Sequence, residues 1–266
     1  MRIISLVPDL TELVCRLGSG SELIGITDFC VHPFEIIQGI EKVRGTKNPD
    51  VRRILALKPD LILLNREENR LVDYEAFMNA GIRCWVAHAK TLEETEQMVR
   101  ELGDKLQHAD QAAKIIAEIR NARRQVRQEA HLFDSFKWAY LIWKQPLMTV
   151  NACTYIHHLI REVGGQNVFA KLQKPYPAIS FEILQEANPD IVFLATEPFR
   201  FTKRHIKDFL QATNLDEKRF VIVDGQLVSW HGSRTAAGLE FMNQVMMSWL
   251  KQAKDLCENK TLIISS

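Results

Sequence analysis

Ile54-Leu55-Ala56-Leu57-Lys58-Pro59-Asp60-Leu61-Ile62-Leu63-Leu64 is the stretch from which the fold is read. A short amphipathic run ends before Pro-Asp, and an unbroken apolar run follows. Proline disfavours the right-handed helical region at the residue before it, so a helix must stop there. Apolar residues in a row without alternation suit a parallel strand covered on both faces. The same order returns as Leu184-Gln185-Glu186-Ala187-Asn188-Pro189-Asp190-Ile191-Val192-Phe193-Leu194. A unit met twice predicts two lobes built alike. The alternative is a chance recurrence, because helix, Pro-Asp and strand are common in α/β proteins.

Working outward, each lobe opens in a similar way. The first begins with strand Ile3–Val7, a turn at Pro8-Asp9 and helix Thr11–Leu17 closed by Gly18. The second begins with strand Trp138–Trp143, a turn at Gln145-Pro146 and helix Tyr155–Val163 closed by Gly164-Gly165. Glycine beyond a helix end is the expected left-handed stop. From Leu92 to about Glu129 the chain is rich in Glu, Gln, Lys, Arg and Ala. Ile115, Ile116, Ile119, Ala122 and Val126 keep helical spacing there. A break near Gly103–Asp110 leaves a long second helix, roughly Ala109–Gln128, spanning about 30 Å. The expected organisation is an N-terminal α/β lobe over 1–105, a linking helix over 106–131 and a C-terminal α/β lobe over 132–266. The fold class is α/β, two Rossmann-like lobes with parallel sheets joined by one long helix, which makes the lobes semi-rigid.

Composition removes several function classes. With 34 basic against 33 acidic side chains, the net charge of +1 supplies no field to draw in nucleic acid. No apolar run approaches the roughly 20 residues that cross a bilayer, so no transmembrane segment is expected. Met1-Arg2 leads straight into an apolar strand pattern without a secretory leader, which by the sequence as given points either to the cytoplasm or to a leader already removed. Five cysteines without a C-x-x-C pair argue against a disulfide framework or zinc knuckle.

The sequence resembles the helical-backbone class (class III) of ABC-transporter substrate-binding proteins, nearest the cobalamin-binding branch. In the first lobe the likeness rests on Arg2–Pro8 with Thr11-Glu12-Leu13, Leu23–Cys30, His32-Pro33, Lys42–Pro49 and Ile54–Ile62. In the second it rests on Trp143–Pro146, Val163–Phe169 and the Pro189-Asp190 segment. The resemblance implies a monomer that captures a metal-bearing small molecule in the cleft between its lobes. Cobalamin or another corrinoid comes first, a ferric siderophore or haem second. It also implies a periplasmic location and an ABC permease as partner. Members that dock on a permease use one exposed glutamate per lobe; Leu71 and Ser229–Trp230 stand at those places here, with Glu67 and Glu68 close by in the first lobe.

In folds of this kind ligands sit beyond the carboxyl ends of parallel strands. That selects Pro8, Asp28, Phe29, His32, Lys47, Asn65, Glu67, Glu68, Asn69 and Arg70 in the first lobe. In the second it selects Trp143, Tyr176, Phe199, Trp230, His231 and Arg234. Trp143, Trp230, Phe199 and Phe29 would offer flat apolar faces to a macrocycle or catecholate; the alternative for each is a core position. Asn65, Glu67 and Asn69 would bond amides around a corrin ring, while Arg66, Arg70 or Arg234 meets a carboxylate or phosphate; the alternatives are a solvated loop and surface ion pairs. His32, His88 and His231 are candidates to ligate cobalt or iron, but lone histidines are more often structural, and no metal site is assigned. His157 and His158, adjacent on a helix, point apart and cannot clamp one ion.

Catalytic readings fare worse. Gly18-Ser19-Gly20 follows a helix and lacks the third glycine of a dinucleotide site. Neither a phosphate-binding G-x-x-x-x-G-K-[ST] nor a G-x-S-x-G nucleophile elbow occurs. Cys30 and His32 have no oxyanion motif beside them. The expectation is a binding protein that uses no cofactor as catalyst and is not an enzyme. The second hypothesis is a cytoplasmic metallocofactor carrier or chelatase-like accessory protein.

Overall fold

A computed structural model describes residues 1–130 and 136–264, with side chains as far as Lys251. The expected start of the second lobe at 132 and the side chain of Cys257 lie outside the described residues. The chain divides into two units, Met1–Glu118 with His231–Ser233, and Ile119–Trp230 with Arg234–Ser266.

The first unit contains β1 (Ile3–Ser5), α1 (Pro8–Leu17), β2 (Leu23–Ile26), α2 (Phe34–Ile37), β3 (Glu41–Lys42), β4 (Arg44–Gly45), β5 (Asn48–Pro49), α3 (Val51–Ala56), β6 (Leu61–Asn65), α4 (Leu71–Asn79), β7 (Arg83–Ala87) and α5 (Leu92–Lys105). Its sheet runs β3-β2-β1-β6-β7 with every pair parallel. Ile4, Leu6, Ile62 and Leu64 pack with Val43, Ile54 and Phe77 on one side of that sheet. Helix α1 starts at Pro8, so the expected turn at Pro8-Asp9 is its first turn. Proline at N1 explains this: its fixed φ suits the helix and the N–H it lacks would have been unpaired there. Gly18, at φ 100°, closes the helix as expected.

Helix α6 (Ala109–Ala130) is 22 residues, about 33 Å at 1.5 Å per residue. The division between the units falls inside it, between Glu118 and Ile119. The second unit continues with β8 (Lys137–Lys144), β9 (Leu147–Thr149), α7 (Tyr155–Val163), β10 (Gln166–Asn167), α8 (Phe181–Ala187), β11 (Ile191–Ala195), α9 (Lys203–Ala212), β12 (Phe220–Val223), α10 (Gly225–Ser229) and α11 (Thr235–Ile264). Strands β10-β8-β11-β12 are parallel, and β9 folds back antiparallel on β8 around Gln145-Pro146. Buried Glu162 on α7 is bracketed by Arg123 (2.9 Å) and Arg127 (2.5 Å) of α6. Burial pushes its carboxyl pKa up, but the two guanidiniums outweigh that and hold it below the usual value.

The repeated Pro-Asp units are alike down to their bonds. After α3 the chain passes through Lys58 at φ 47°, and directly after α8 through Asn188 at φ 43°, so each helix is left through a positive-φ residue before its proline. The Asp60 carboxylate then accepts the Arg2 N–H at 2.7 Å while the Asp60 N–H donates to the Arg2 carbonyl at 2.8 Å. Asp190 makes the same two bonds to Lys137, also at 2.7 and 2.8 Å. In each unit, therefore, the aspartate fastens the start of the strand beside its own.

Candidate functional site

At the carboxyl end of the first unit's sheet, α1 opens directly after β1 and places Asp9 in its first turn, where a carboxylate is favoured by the helix dipole. One Asp9 oxygen accepts the Leu10 N–H at 2.9 Å; the other lies 2.7 Å from His231 Nδ1. Both partners are buried, Asp9 at 7% and His231 at 6% exposure. On the far side of the ring, His231 Nε2 faces the Asn65 amide nitrogen at 3.4 Å, a long contact beside the Asp9 bond. Burial works against charge on the imidazole, but the charge and hydrogen bond of Asp9, with Glu67 behind them, outweigh it and hold the pKa above its ordinary value. The residues that follow are fixed to the same helix. Ser233 Oγ donates to Glu12 at 3.0 Å, and Arg16 donates to the Ser233 carbonyl at 2.7 Å while pairing with Glu118. Asp9, Glu12 and Arg16 thus form one polar face of α1 that grips His231–Ser233. Gly232 between them has φ 83°, and a Cβ there would stand 3.2 Å from Leu13.

The loop after β6 spends its amides on itself and its neighbours. Asn65 Oδ1 accepts the Glu67 N–H and Asn69 Oδ1 accepts the Asn65 N–H, each at 2.8 Å. Asn69 Nδ2 donates to the carbonyls of Leu6 and Thr46, and Lys47 Nζ to that of Glu67. Arg70 is bidentate to Asp73 at 2.8 and 2.7 Å. The structure therefore gives Asn65, Asn69, Lys47 and Arg70 bracing contacts within the first unit. Arg66, Glu67 and Glu68 are exposed charges of the loop, as is Arg70.

Apolar exposure concentrates after β2. Phe29 is 60% and Phe34 61% exposed, with Val31 and Ile36 also outward. Asp28 and His32 are exposed in the same segment, and Phe29 lies beside Gly45 in the β4–β5 turn. Pro8 is half-buried as the first residue of α1. Phe34 was not singled out from the sequence. The available signal was Phe29-Cys30-Val31-His32-Pro33-Phe34, whose large apolar residues fit neither a strand nor a helix period.

In the second unit, Trp143, one residue before the end of β8, is 39% exposed, its ring set edge-on to half-buried Phe199 at 5.7 Å. Tyr176 is half-buried. Trp230, expected as an exposed stacking face, is only 7% exposed. Its Nε1 donates to Glu197 at 3.2 Å, and the Arg234 guanidinium covers its ring at 4.5 Å while bonding Gln226. His231, a candidate metal ligand, is committed to Asp9. His157 is held neutral, its pKa pushed down to about 4 by burial, and His158 and Arg161 add to this. Among the described residues no three metal-ligating carboxylate, imidazole or thiol groups gather. No helix among them is long and apolar enough to cross a membrane.

A family profile described as periplasmic binding protein matches residues 3–218. Curated relatives include a vitamin B12-binding protein of Vibrio campbellii, 28% identical over 192 residues, covering 72% of this chain and 70% of that protein. Another, from Pectobacterium carotovorum subsp. carotovorum, is 29% identical over 199 residues, 74% of this chain and 72% of that one. Among solved structures, a periplasmic vitamin B12 binding protein of Vibrio cholerae aligns with a TM-score of 0.79 at 22% identity, covering 95% of this chain and 97% of that one. A periplasmic haem-binding protein from Roseiflexus sp. RS-1 aligns with a TM-score of 0.79 at 18% identity, covering 93% and 97%. At such identities the structural likeness establishes the α/β fold.

Proposed function

Because the chain belongs to the periplasmic binding protein family, we propose that it captures a metal-bearing small molecule for ABC-type uptake, a corrinoid first and a ferric siderophore or haem second. The observation that carries this reading is the exposure of large aromatic rings in each unit taken by itself: Phe29 and Phe34 after β2 in the first and Trp143 near the end of β8 in the second. Large rings left in water at these positions gain from covering a flat apolar ligand, with little entropy to lose. The vitamin B12-binding relatives support the corrinoid, and the haem-binding structures support a macrocycle more generally.

Binding without turnover is part of the proposal. The buried carboxylate–imidazole pair Asp9 with His231 has the Asn65 amide on its far side where a catalytic pair would need a nucleophile. The proposed place of action is the periplasm, with the exposed Glu67 and Glu68 beside Leu71 offering the first unit's carboxylates to a permease.

Titration with cyanocobalamin, haemin and a ferric siderophore, followed by calorimetry and visible absorption, tests the reading. Saturable 1:1 binding is expected, weakened about tenfold in Trp143→Ala. Trp230→Ala serves as a folding control, because that ring is internal. Absence of binding to all three ligands would sink the assignment.

A further inference from the structure

Arg200, Lys203, Arg204 and Lys207 fall within a stretch, Arg200 to Lys207, that contains no acidic residue. All four are exposed. Arg200 leaves the carboxyl end of β11, and the other three share the outward face of α9, opposite buried Ile206 and Phe209. Asp208, the only carboxylate on α9, is taken by Lys144 at 2.5 Å. Among the described residues none of the four cations lies within ion-pair distance of a carboxylate. Like charges three and four positions apart repel, so the stripe costs stability as it stands. Beside it are rings: Phe199 packs against Trp143 at 5.7 Å and against His205 at 5.2 Å, and Trp143 is the exposed member. An exposed indole in ring contact with Phe199, the residue before Arg200, and nearby cations without an ion-pair partner fit an apolar body that carries acid groups on its rim.

On the uptake reading above, we propose that the ligand is anionic, its apolar body set against Trp143 and Phe199 and its carboxylate or catecholate oxygens on Arg200, Lys203 and Arg204. Charge then discriminates within each ligand class. A corrinoid with free side-chain acids, or a porphyrin with free carboxylates, binds better than the same ring with those acids esterified.

The test compares matched acids and esters: haemin with its dimethyl ester, and cobyrinic acid with its heptamethyl ester, with cyanocobalamin as the neutral amide form. The acids are expected to bind about tenfold tighter than their esters at low salt. That advantage shrinks in 0.5 M salt, where the screening length is only a few ångströms. The exposed triple variant Arg200→Gln/Lys203→Gln/Arg204→Gln is expected to erase the acid–ester difference while leaving ester affinity unchanged. Equal affinity of acid and ester in the parent, or equal losses for both in the variant, overturns the proposal. Tight cyanocobalamin binding with no acid preference overturns it and leaves the uptake reading standing. A ferric catecholate siderophore is titrated alongside, and failure of it and of every other probe to bind overturns both.

Discussion

Replacing Asp9 by asparagine removes one charge from a pair that solvent cannot reach. Asp9 and His231 are 7% and 6% exposed and 2.7 Å apart. Breaking such a pair by deleting one partner costs about 3–5 kcal/mol while the other stays charged. In the variant the imidazole has a way out, because without Asp9 burial favours its neutral form. The cost therefore depends on pH, and its sign follows from linkage. The folded-state pKa of His231 is raised, above the ordinary value near 6.5. Its contribution is complete below the unfolded pKa and is lost as pH rises through the folded one. Parent and Asp9→Asn should then differ by about 3 kcal/mol at pH 5.5. At pH 9 the gap should narrow to about 0.5–1 kcal/mol, the worth of a carboxylate at a helix N-terminus. Urea unfolding of both proteins across that range, read as midpoints at constant slope, measures the gap directly. A difference that stays flat with pH, or grows toward pH 9, would refute the reasoning.

Other parts of the structure make separate predictions. Asp60→Ala and Asp190→Ala each remove the same pair-forming carboxylate from a strand start, so their losses in urea stability should match within about 0.5 kcal/mol, near 1 kcal/mol each. Glu162→Ala leaves the Arg123 and Arg127 guanidiniums facing a vacant site and should cost about 3 kcal/mol by the same assay, whereas an effect below 1 kcal/mol would show the cluster to be replaceable. Gly232→Ala places a Cβ against Leu13 at positive φ and should lower thermal stability by about 1–3 kcal/mol, with unchanged stability counting against the tight fit at residue 232.

Local grammar was legible in the sequence. The Pro-Asp units, the fully apolar β6 and β11 and the helix Tyr155–Val163 all follow from rules acting over a few residues. The start of α1 was misplaced because Pro-Asp after a strand serves equally as a turn or as a first helical turn. Candidate binding residues were harder, since the same side chains can face a ligand or brace a loop. Asn65 and Asn69 have the right chemistry to bond a ligand, yet their bonds go to Glu67, Leu6 and Thr46. Trp230 and His231 beside a glycine read as an open loop, but their partners Glu197 and Asp9 lie far off along the chain. Such long-range pairing leaves no periodic trace. The cationic stripe of α9 was visible as charge; what made it informative was that, among the described residues, none of its four cations is ion-paired and Asp208 is taken by Lys144.

The grip of α1 on His231–Ser233 bears on how this chain comes off the ribosome. Everything else in the first unit has been synthesised by Glu118, but the three residues that occupy the polar face of α1 arrive more than a hundred positions later. At about 5–20 residues per second, that face, complete once Arg16 is added, waits about 10–40 s with Asp9, Glu12 and Arg16 lacking these partners. The first unit is thus closed only after the Ile119–Trp230 part of the second has been made, and a chain stopped before His231 would leave that face of α1 open.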